Sequence, residues 1–499
     1  MGKYILVLDR GSTNVKAVLF DTEGNEILVS SHPSPKLISV QSGWWEQDID
    51  QIWECTTKAI KGIFDKSIKP EEILGFFAVG QGNGLITIDG YGKPTRMGIH
   101  SLDSRASGIF DKWQTDGRYE KAISVVGTSF PVGSPLPLLA WFRINEADEY
   151  KAINKVLFSK DWVTYKLSGV IGTDLTDASG SGLMNIRGNT YAYDVFEMLE
   201  LEDIRDKLPD IRPSHQVVGS VTKKAAEETG LLEGTPVLCG AHDIGAYPFG
   251  IGTVDDKQLV CVLGTWGLNI FPVKSPNGLP SVIYHTYPGY YLTGAGDGNS
   301  GGCLDIMLDK LCEHEKGLAA AKNMSIQAYA DDMVAGCEPT QIIFHPFVFG
   351  SLLSNSACAG FYGIKSWHKK TDWLLAVYEG IVMGHYANIK RMPGHESIES
   401  VWLIGGGAKS EVFARLFADI SGLTVKVAVT NEITARGGAL NALVGLGIVD
   451  SHEKACIPVK VKAEYNPDQK MQEFYRKKFA IFNELTQVNT DIWNKLKDL

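Results

Sequence analysis

The segment Asp9-Arg10-Gly11-Ser12-Thr13-Asn14-Val15-Lys16 gathers a carboxylate, a glycine and two hydroxyls in one tight turn. Such a turn can aim backbone N–H groups and hydroxyls at phosphate oxygens, while a carboxylate at the strand end can hold magnesium through water. An ordinary solvated hairpin turn uses the same residue types, so one turn decides little. Gly264-Thr265-Trp266-Gly267 is a second turn of this kind, and a facing pair would grip a polyphosphate from both sides. Gly405-Gly406-Gly407-Ala408-Lys409-Ser410 follows an apolar run and precedes a helical one. Glycines there would let a flat adenosine ring approach the backbone, or would serve only the close packing of strand on helix. In Gly240-Ala241-His242-Asp243-Ile244-Gly245-Ala246 an acid stands among small residues just after the apolar run Pro236 to Cys239. A carboxylate beside a bound hydroxyl can orient it and take its proton during phosphoryl transfer. Taken alone, Asp243 reads as a helix N-cap and His242 as a packed or hydrogen-bonded histidine. Walker and dinucleotide signatures are missing: there is no G-x-x-x-x-G-K-[ST], and Gly294-Ala295-Gly296-Asp297-Gly298-Asn299 fails G-x-G-x-x-G at its last position.

These residues need strands and helices to hold them. Tyr4 to Ser30 reads as a three-strand meander, with Ile5 to Leu8, Val15 to Phe20 and Glu26 to Ser30 as its strands. From Asp50 onward Ile52, Cys55, Ala59, Ile60, Ile63 and Phe64 recur at helical spacing. Ile73 to Val79 predicts a buried strand that delivers the loop Gly80-Gln81-Gly82-Asn83-Gly84. The same order returns later: Leu259 to Leu263, the second turn, Leu268 to Val273, then Val401 to Ile404 with its glycine loop and a helix over Glu411 to Ile420. The chain therefore reads as a duplicated α/β unit, with a break near 249–257. The expected domains are 1–248, 249–450 and a peripheral helical extension, 451–499.

Lys and Arg total 48 against 58 Asp and Glu, a formal net charge of −10, and no basic run stands out. A nucleic-acid or anionic-membrane partner is disfavoured. The 8 cysteines are scattered singly without C-x-x-C, so neither zinc nor a disulfide framework is expected. The first apolar run meets Asp9 and Arg10 too soon for a signal peptide, and no 18-residue apolar stretch follows. A reduced, soluble, cytoplasmic protein is the expectation.

Taken together, these motifs resemble the FGGY family of carbohydrate kinases over about residues 4–450. Leu8-Asp9-Arg10-Gly11-Ser12-Thr13 is similar to the family's first phosphate loop, Gly43-Trp44-Trp45-Glu46-Gln47-Asp48 to its G-W-x-E-Q-D segment, and Gly80 to Gly84 to its sugar loop. Asp103-Ser104-Arg105 resembles D-x-R; Lys160-Asp161-Trp162, Thr173-Asp174 and Ala178-Ser179-Gly180 follow in the family order. The resemblance implies the actin and hexokinase type of duplicated α/β fold (ribonuclease H-like), with two domains closing on substrate and Mg-ATP. It implies Asp243 as general base and sugar contact, Asp9 on the Mg2+ side, and Gly11, Ser12, Thr13, Lys16, Gly264, Thr265 and Gly302 around the nucleotide's phosphates. Gly405, Gly406, Gly407 and Ser410 fall near adenosine, and Gln81, Gly82, Asn83 and Asp103 on the sugar side.

Departures concern specificity. The family's K-x-x-W lysine is Leu138 here, the serine after Gly264-Thr265 is Trp266, and the loop after Pro346-Phe347-Val348-Phe349-Gly350 is short, without a glutamate-arginine pair. D-xylulose kinases resembling this chain carry a bulkier residue and a histidine where Gly82 and Asn83 stand. The pattern is most similar to the L-xylulose and 3-keto-L-gulonate kinase branch, and next to erythritol kinases. The expected reaction is ATP-dependent phosphorylation of a terminal hydroxyl of a small ketose or ketose-acid. D-xylulose, ribulose, erythritol and glycerol are the alternative acceptors, and a homodimer is an open option. A rival from another class is an actin-like ATPase or sugar-responsive binding protein, against which Asp243 and the intact sugar loop argue.

Overall fold

A computed structural model of the chain describes residues 2–352, 354 and 356–496. The polypeptide builds two compact units, each from separate stretches. One comprises Met1–Val254, Pro272–Thr293 and Glu432–Pro458; the other comprises Asp255–Phe271, Gly294–Asn431 and Val459–Leu499. The continuous spans expected from sequence do not map onto them, because the helix Ile433–Gly445 packs into the first unit and the C-terminal stretch is built into the second.

In the first unit β1 (Tyr4–Arg10), β2 (Asn14–Asp21) and β3 (Glu26–Pro33) form the expected meander. Helix α1 (Ile49–Phe64) follows, capped by the Asp48 carboxylate, which accepts from the Asp50 and Gln51 N–H groups. Then come β4 (Ile73–Gly80), α2 (Ser159–Ser168), α3 (Leu175–Gly180), β5 (Val217–Ser220), β6 (Pro236–Leu238), β7 (Ala241–His242) and α4 (Asp243–Ile251). The strands order as β5-β6-β4-β1-β2-β3, with β7 pairing beside β4. Side chains alternate across a strand, so β1 feeds two cores. Leu6 and Leu8 pack with Ala59, Ile60 and Ile63 of α1, whereas Ile5 and Val7 pack with Phe249 of α4 and Ala439 and Leu443 of the helix Ile433–Gly445. This three-layer arrangement buries both sheet faces, which is why Ile73 to Val79 reads as an unbroken apolar run.

Glycine lets the two helices on that face approach closely. A Cβ on Gly437 would stand 2.2 Å from the Ala246 carbonyl oxygen, and one on Gly250 would stand 2.0 Å from the Ile433 carbonyl oxygen. Gly437→Ala must push backbone aside, an overpacking cost of ~1–3 kcal/mol. A fall in Tm of several degrees is expected by calorimetry; an unchanged Tm would mean that the helices separate freely.

The second unit repeats the plan. Its strands β8 (Gln258–Leu263), β9 (Gly267–Val273), β10 (Tyr291–Asp297), β11 (Ser400–Ile404), β12 (Thr424–Ala428) and β13 (Val461–Tyr465) lie in the order β10-β9-β8-β11-β12-β13. Matching β1 to β8 and β4 to β11 superposes the two strand orders, so the duplication expected from the sequence is present. The first residues of β10 and the last of β9 belong to the first unit's stretches. Helices α5 (Gly301–Leu311), α6 (Lys370–Arg391), α7 (Glu411–Ser421) and α8 (Gln469–Leu496) complete it. The region 451–499 is not peripheral: β13 joins the sheet, and α8 buries Tyr475, Lys478, Phe482 and Trp493. Lys478 pairs there with the buried Glu379, which also accepts from the Tyr475 hydroxyl at 2.8 Å. Residues 353 and 355 of the short loop after Gly350, and 497–499 of the expected C-terminal helix, lie outside the described residues.

Candidate active site

The first phosphate turn joins β1 to β2. The Gly11 N–H donates to the Asn14 carbonyl at 3.0 Å, closing the hairpin and leaving Ser12 and Thr13 exposed at its tip. Asp9 is cross-strand from Lys16 and beside Val79 of β4. Burial, then the negative charge of Asp243, push its carboxyl up to about 7, against the pull of Lys16. Lys16, expected on the nucleotide, instead gives its ammonium to both carboxylate oxygens of Glu432, at 2.8 and 2.9 Å. Among the described residues no group of three or more His, Cys, Asp and Glu side chains is arranged to hold a metal ion. Magnesium commonly takes one or two carboxylates plus phosphate oxygens and water, so a crowded carboxylate beside a phosphate turn fits a shared site.

Asp243 opens α4 just after β7. It is the first helical residue and not the N-cap, which is His242. Its Oδ1 accepts from the Ile244 N–H at 2.7 Å and lies 3.2 Å from His242 Nε2, and the side chain keeps 25% exposure. One carboxylate oxygen is thus tied down while the other carries no hydrogen bond from these two donors.

The sugar loop leaves β4 at Gly80, and the Gln81 N–H donates to the Arg10 carbonyl at 3.3 Å. Asn83 (φ 60°) and Gly84 (φ +71°) are successive left-handed residues, so Asn83 is a turn residue in its backbone. Its side-chain Oδ1 is nevertheless buried without a hydrogen-bond partner, a cost of about 1–3 kcal/mol that a ligand donor would relieve. A Cβ on Gly82 would meet the His242 ring, and one on Gly84 would come within 2.6 Å of the Ile99 carbonyl oxygen. Asp103 corrects its sequence reading. It is wholly buried: Oδ1 accepts from Arg105 N and Nε, both at 2.9 Å, and Oδ2 accepts from Trp45 N at 2.7 Å and Arg105 Nη2 at 2.9 Å. Its acceptor capacity is spent inside the protein, so it braces the site instead of meeting sugar. The G-W-x-E-Q-D segment shares that work, with Glu46 Oε1 2.7 Å from Arg105 Nη2 and the Arg105 guanidinium 4.4 Å from the Trp44 ring centroid.

In the second unit the turn between β8 and β9 leaves Thr265 and Trp266 exposed. Gly302 N–H donates to the Thr265 carbonyl at 3.0 Å and Gly301 N–H to the Gly264 carbonyl at 2.8 Å, so these glycines support the turn. His385 of α6 stiffens it, with Nδ1 3.1 Å from Asn269 Oδ1 and Nε2 3.1 Å from Ser300 Oγ. Of the three loop glycines, Gly405 (φ +85°) and Gly407 sit against Leu263, whereas nothing lies within 4 Å of a Cβ on Gly406. Open space for a flat ring is therefore at Gly406. The Ser410 hydroxyl caps α7, accepting from Phe413 N at 3.2 Å, and it also bonds Asp331.

Residues 4–250 match the model of the FGGY family of carbohydrate kinases, N-terminal domain, and residues 259–446 match its C-terminal domain. The chain is an FGGY carbohydrate kinase. It is 30% identical over 495 residues to the L-xylulose/3-keto-L-gulonate kinase of Escherichia coli, covering 97% of each chain. A xylulose kinase of Staphylococcus epidermidis is 28% identical, with 98% of each chain covered. The fold matches the ligand-bound xylulose kinase of Lactobacillus acidophilus with a TM-score of 0.88 at 21% identity, covering 99% of this chain and 100% of that one. This FGGY kinase is accordingly a phosphotransferase of the actin and hexokinase type of fold, acting on a small sugar with ATP as the phosphoryl donor. None of the described helices is long and apolar enough to cross a membrane, and all eight cysteines are free thiols.

Sequence reasoning missed the buried cluster around Lys160, whose ammonium pairs with Asp161 and lies 3.1 Å from Asp174 Oδ1 and 3.5 Å from Asp177 Oδ2. Burial opposes its charge, yet Asp161, Asp174 and Asp177 outweigh burial and hold it protonated. It also missed His100, which is buried and held near-neutral chiefly by burial, its pKa lowered to about 4. His100 Nδ1 accepts from the Leu102 N–H, and Nε2 is buried without a partner. The signal for Lys160, Asp161 and Asp174 was present only as family-ordered motifs, without the distances that bring them together, and His100 stands in none of those motifs.

Proposed function

We propose that this kinase transfers the γ-phosphoryl group of ATP to a terminal hydroxyl of L-xylulose or 3-keto-L-gulonate. The acceptor hydroxyl loses its proton to the untethered oxygen of Asp243 as its oxygen bonds to the γ-phosphorus. The bond from that phosphorus to the bridging oxygen breaks, and ADP leaves. Ser12, Thr13, Gly264 and Thr265 bind phosphate oxygens through hydroxyls and N–H groups, and Gly406 lies under the adenosine. Asp9 would hold Mg2+ together with phosphate oxygens and water; when bound, the ion supplies neutralisation of phosphate charge.

The observation that carries the substrate choice is the unpartnered Asn83 Oδ1 at the head of a loop whose neighbour is Gly82. An amide there accepts from one sugar hydroxyl and donates to another or to a carboxylate, and the identity to the L-xylulose/3-keto-L-gulonate kinase supports the same acceptors. A coupled ADP-release screen over both enantiomers of xylulose and ribulose, 3-keto-L-gulonate, erythritol, glycerol and gluconate tests it. L-xylulose or 3-keto-L-gulonate should exceed D-xylulose in kcat/KM. Asn83→Ala should lower kcat/KM for the better sugar by ~5- to 150-fold, and for D-xylulose by less. Preference for D-xylulose in the parent enzyme would overturn the substrate assignment, and equal losses would leave Asn83 as a turn residue only.

A further inference from the structure

Behind Asp243 lies a set of buried polar groups that phosphoryl transfer, as described, leaves unused. The His242 side chain is 6% exposed, and its Nδ1 is buried without a hydrogen-bond partner. Its ring fills a slot between two glycines. A Cβ on Gly82 would come within 2.6 Å of Nε2 and 2.8 Å of Cε1, and a Cβ on Gly180 within 2.8 Å of Nδ1. The backbone is pinned as well, since the His242 N–H donates to Thr176 Oγ1 at 2.8 Å, and that hydroxyl donates to Asp174 Oδ2 at 2.6 Å. Ser214 Oγ donates to the same Asp174 oxygen at 2.6 Å. A ring chosen for packing alone would not need two missing side chains and would not leave a nitrogen orphaned in the interior.

We infer that His242 is a positioning residue for the catalytic base: with the Ile244 N–H it fixes Asp243 Oδ1, so that the opposite oxygen alone receives the sugar's proton. This rests on the reading of Asp243 as base. The donor is Nε2–H, at 3.2 Å from Oδ1. The charged groups facing the ring are Asp243 from α4, and Asp177 and Asp174 from α3 and its N-terminus, backed by Lys160 and Asp161 of α2. Both Asp177 oxygens are buried without a hydrogen bond, and its charge acts on the imidazole. Burial opposes an imidazolium here, but the Asp243 hydrogen bond and the charges of Asp243, Asp177 and Asp174 outweigh it and raise the His242 pKa above its ordinary value. A cation held against one carboxylate oxygen favours the negative charge on that carboxylate.

The test is the pH dependence of kcat with saturating sugar and Mg-ATP. His242→Gln keeps an N–H donor but loses the positive charge that faces the Asp243 carboxylate. The acid limb should move to higher pH by about 0.5–1 unit, with kcat near pH 6 falling more than kcat near pH 8. His242→Ala also loses the tether and should lower kcat at every pH by ~10-fold or more. A packing role would change Tm without moving the limb. If His242→Gln folds yet keeps the limb within about 0.2 unit of the parent, the inference is overturned. Asp243→Asn measured alongside separates the two failures. A variant that still turns over removes the base itself, whereas an inactive Asp243→Asn with unmoved limbs removes only the role of His242.

Discussion

Asp243→Asn is expected to cut kcat by ~10²–10⁴, the usual contribution of a positioned acid-base group, while ATP and sugar affinities stay within a few-fold. The substitution keeps the side chain's size and an oxygen able to accept from the Ile244 N–H, so α4 should begin where it does now. What disappears is the second anionic oxygen. Rapid-quench measurement of a single turnover would locate the loss in the chemical step. A variant within a few-fold of the parent would remove Asp243 from the mechanism.

Asp9→Asn should be nearly as damaging, by a different route. We expect kcat/KM for Mg-ATP to fall ~10²–10³, the scale of losing one electrostatic stabiliser of a transferring group, with the sugar Kd unchanged by calorimetry. The same variant should be more stable than the parent in the absence of magnesium and nucleotide. Its carboxyl is forced up to about 7 by burial and by the charge of Asp243, so at neutral pH an ionised Asp9 works against the fold, and an amide does not. A loss of activity joined to a rise in Tm is a signature that a misplaced structural residue would not give. If only the KM for sugar moved, the turn would be misassigned.

Local pattern carried much of this in the sequence. The alternation in Ile5 to Leu8, the hydroxyl turns and the apolar run before Gly80 each depend on neighbours within a few residues, and their strands fall where that pattern puts them. Asp103 was misread because its partner is the N–H of Trp45, 58 residues away, and a D-x-R motif does not reveal that the Arg consumes the carboxylate. The bond from the Gly302 N–H to the Thr265 carbonyl was likewise not legible, since the two residues are remote in sequence. His242 is packed and hydrogen-bonded as its sequence context suggests, but what holds it was not legible, because its slot depends on Gly82 and Gly180, each remote in sequence. The return of the helix Ile433–Gly445 to the first unit was not legible because it is buried on nearly every side, and nothing in such a pattern names the sheet it covers.

The interrupted layout of the units also bears on how the chain is made. Residues up to Val254 leave the ribosome long before Glu432–Pro458, the stretch that covers Ile5 and Val7. At ~5–20 residues per second, roughly 180 intervening residues take ~10–40 s to synthesise, and through that interval this face of the first sheet has α4 but lacks the helix Ile433–Gly445. Nascent chains arrested before residue 432 should therefore bind holdase chaperones and be cut readily by protease, and the completed chain, with β13 and α8 in place, should do neither. An amino-terminal fragment ending at Val254 should for the same reason aggregate when expressed alone, however complete its sugar loop.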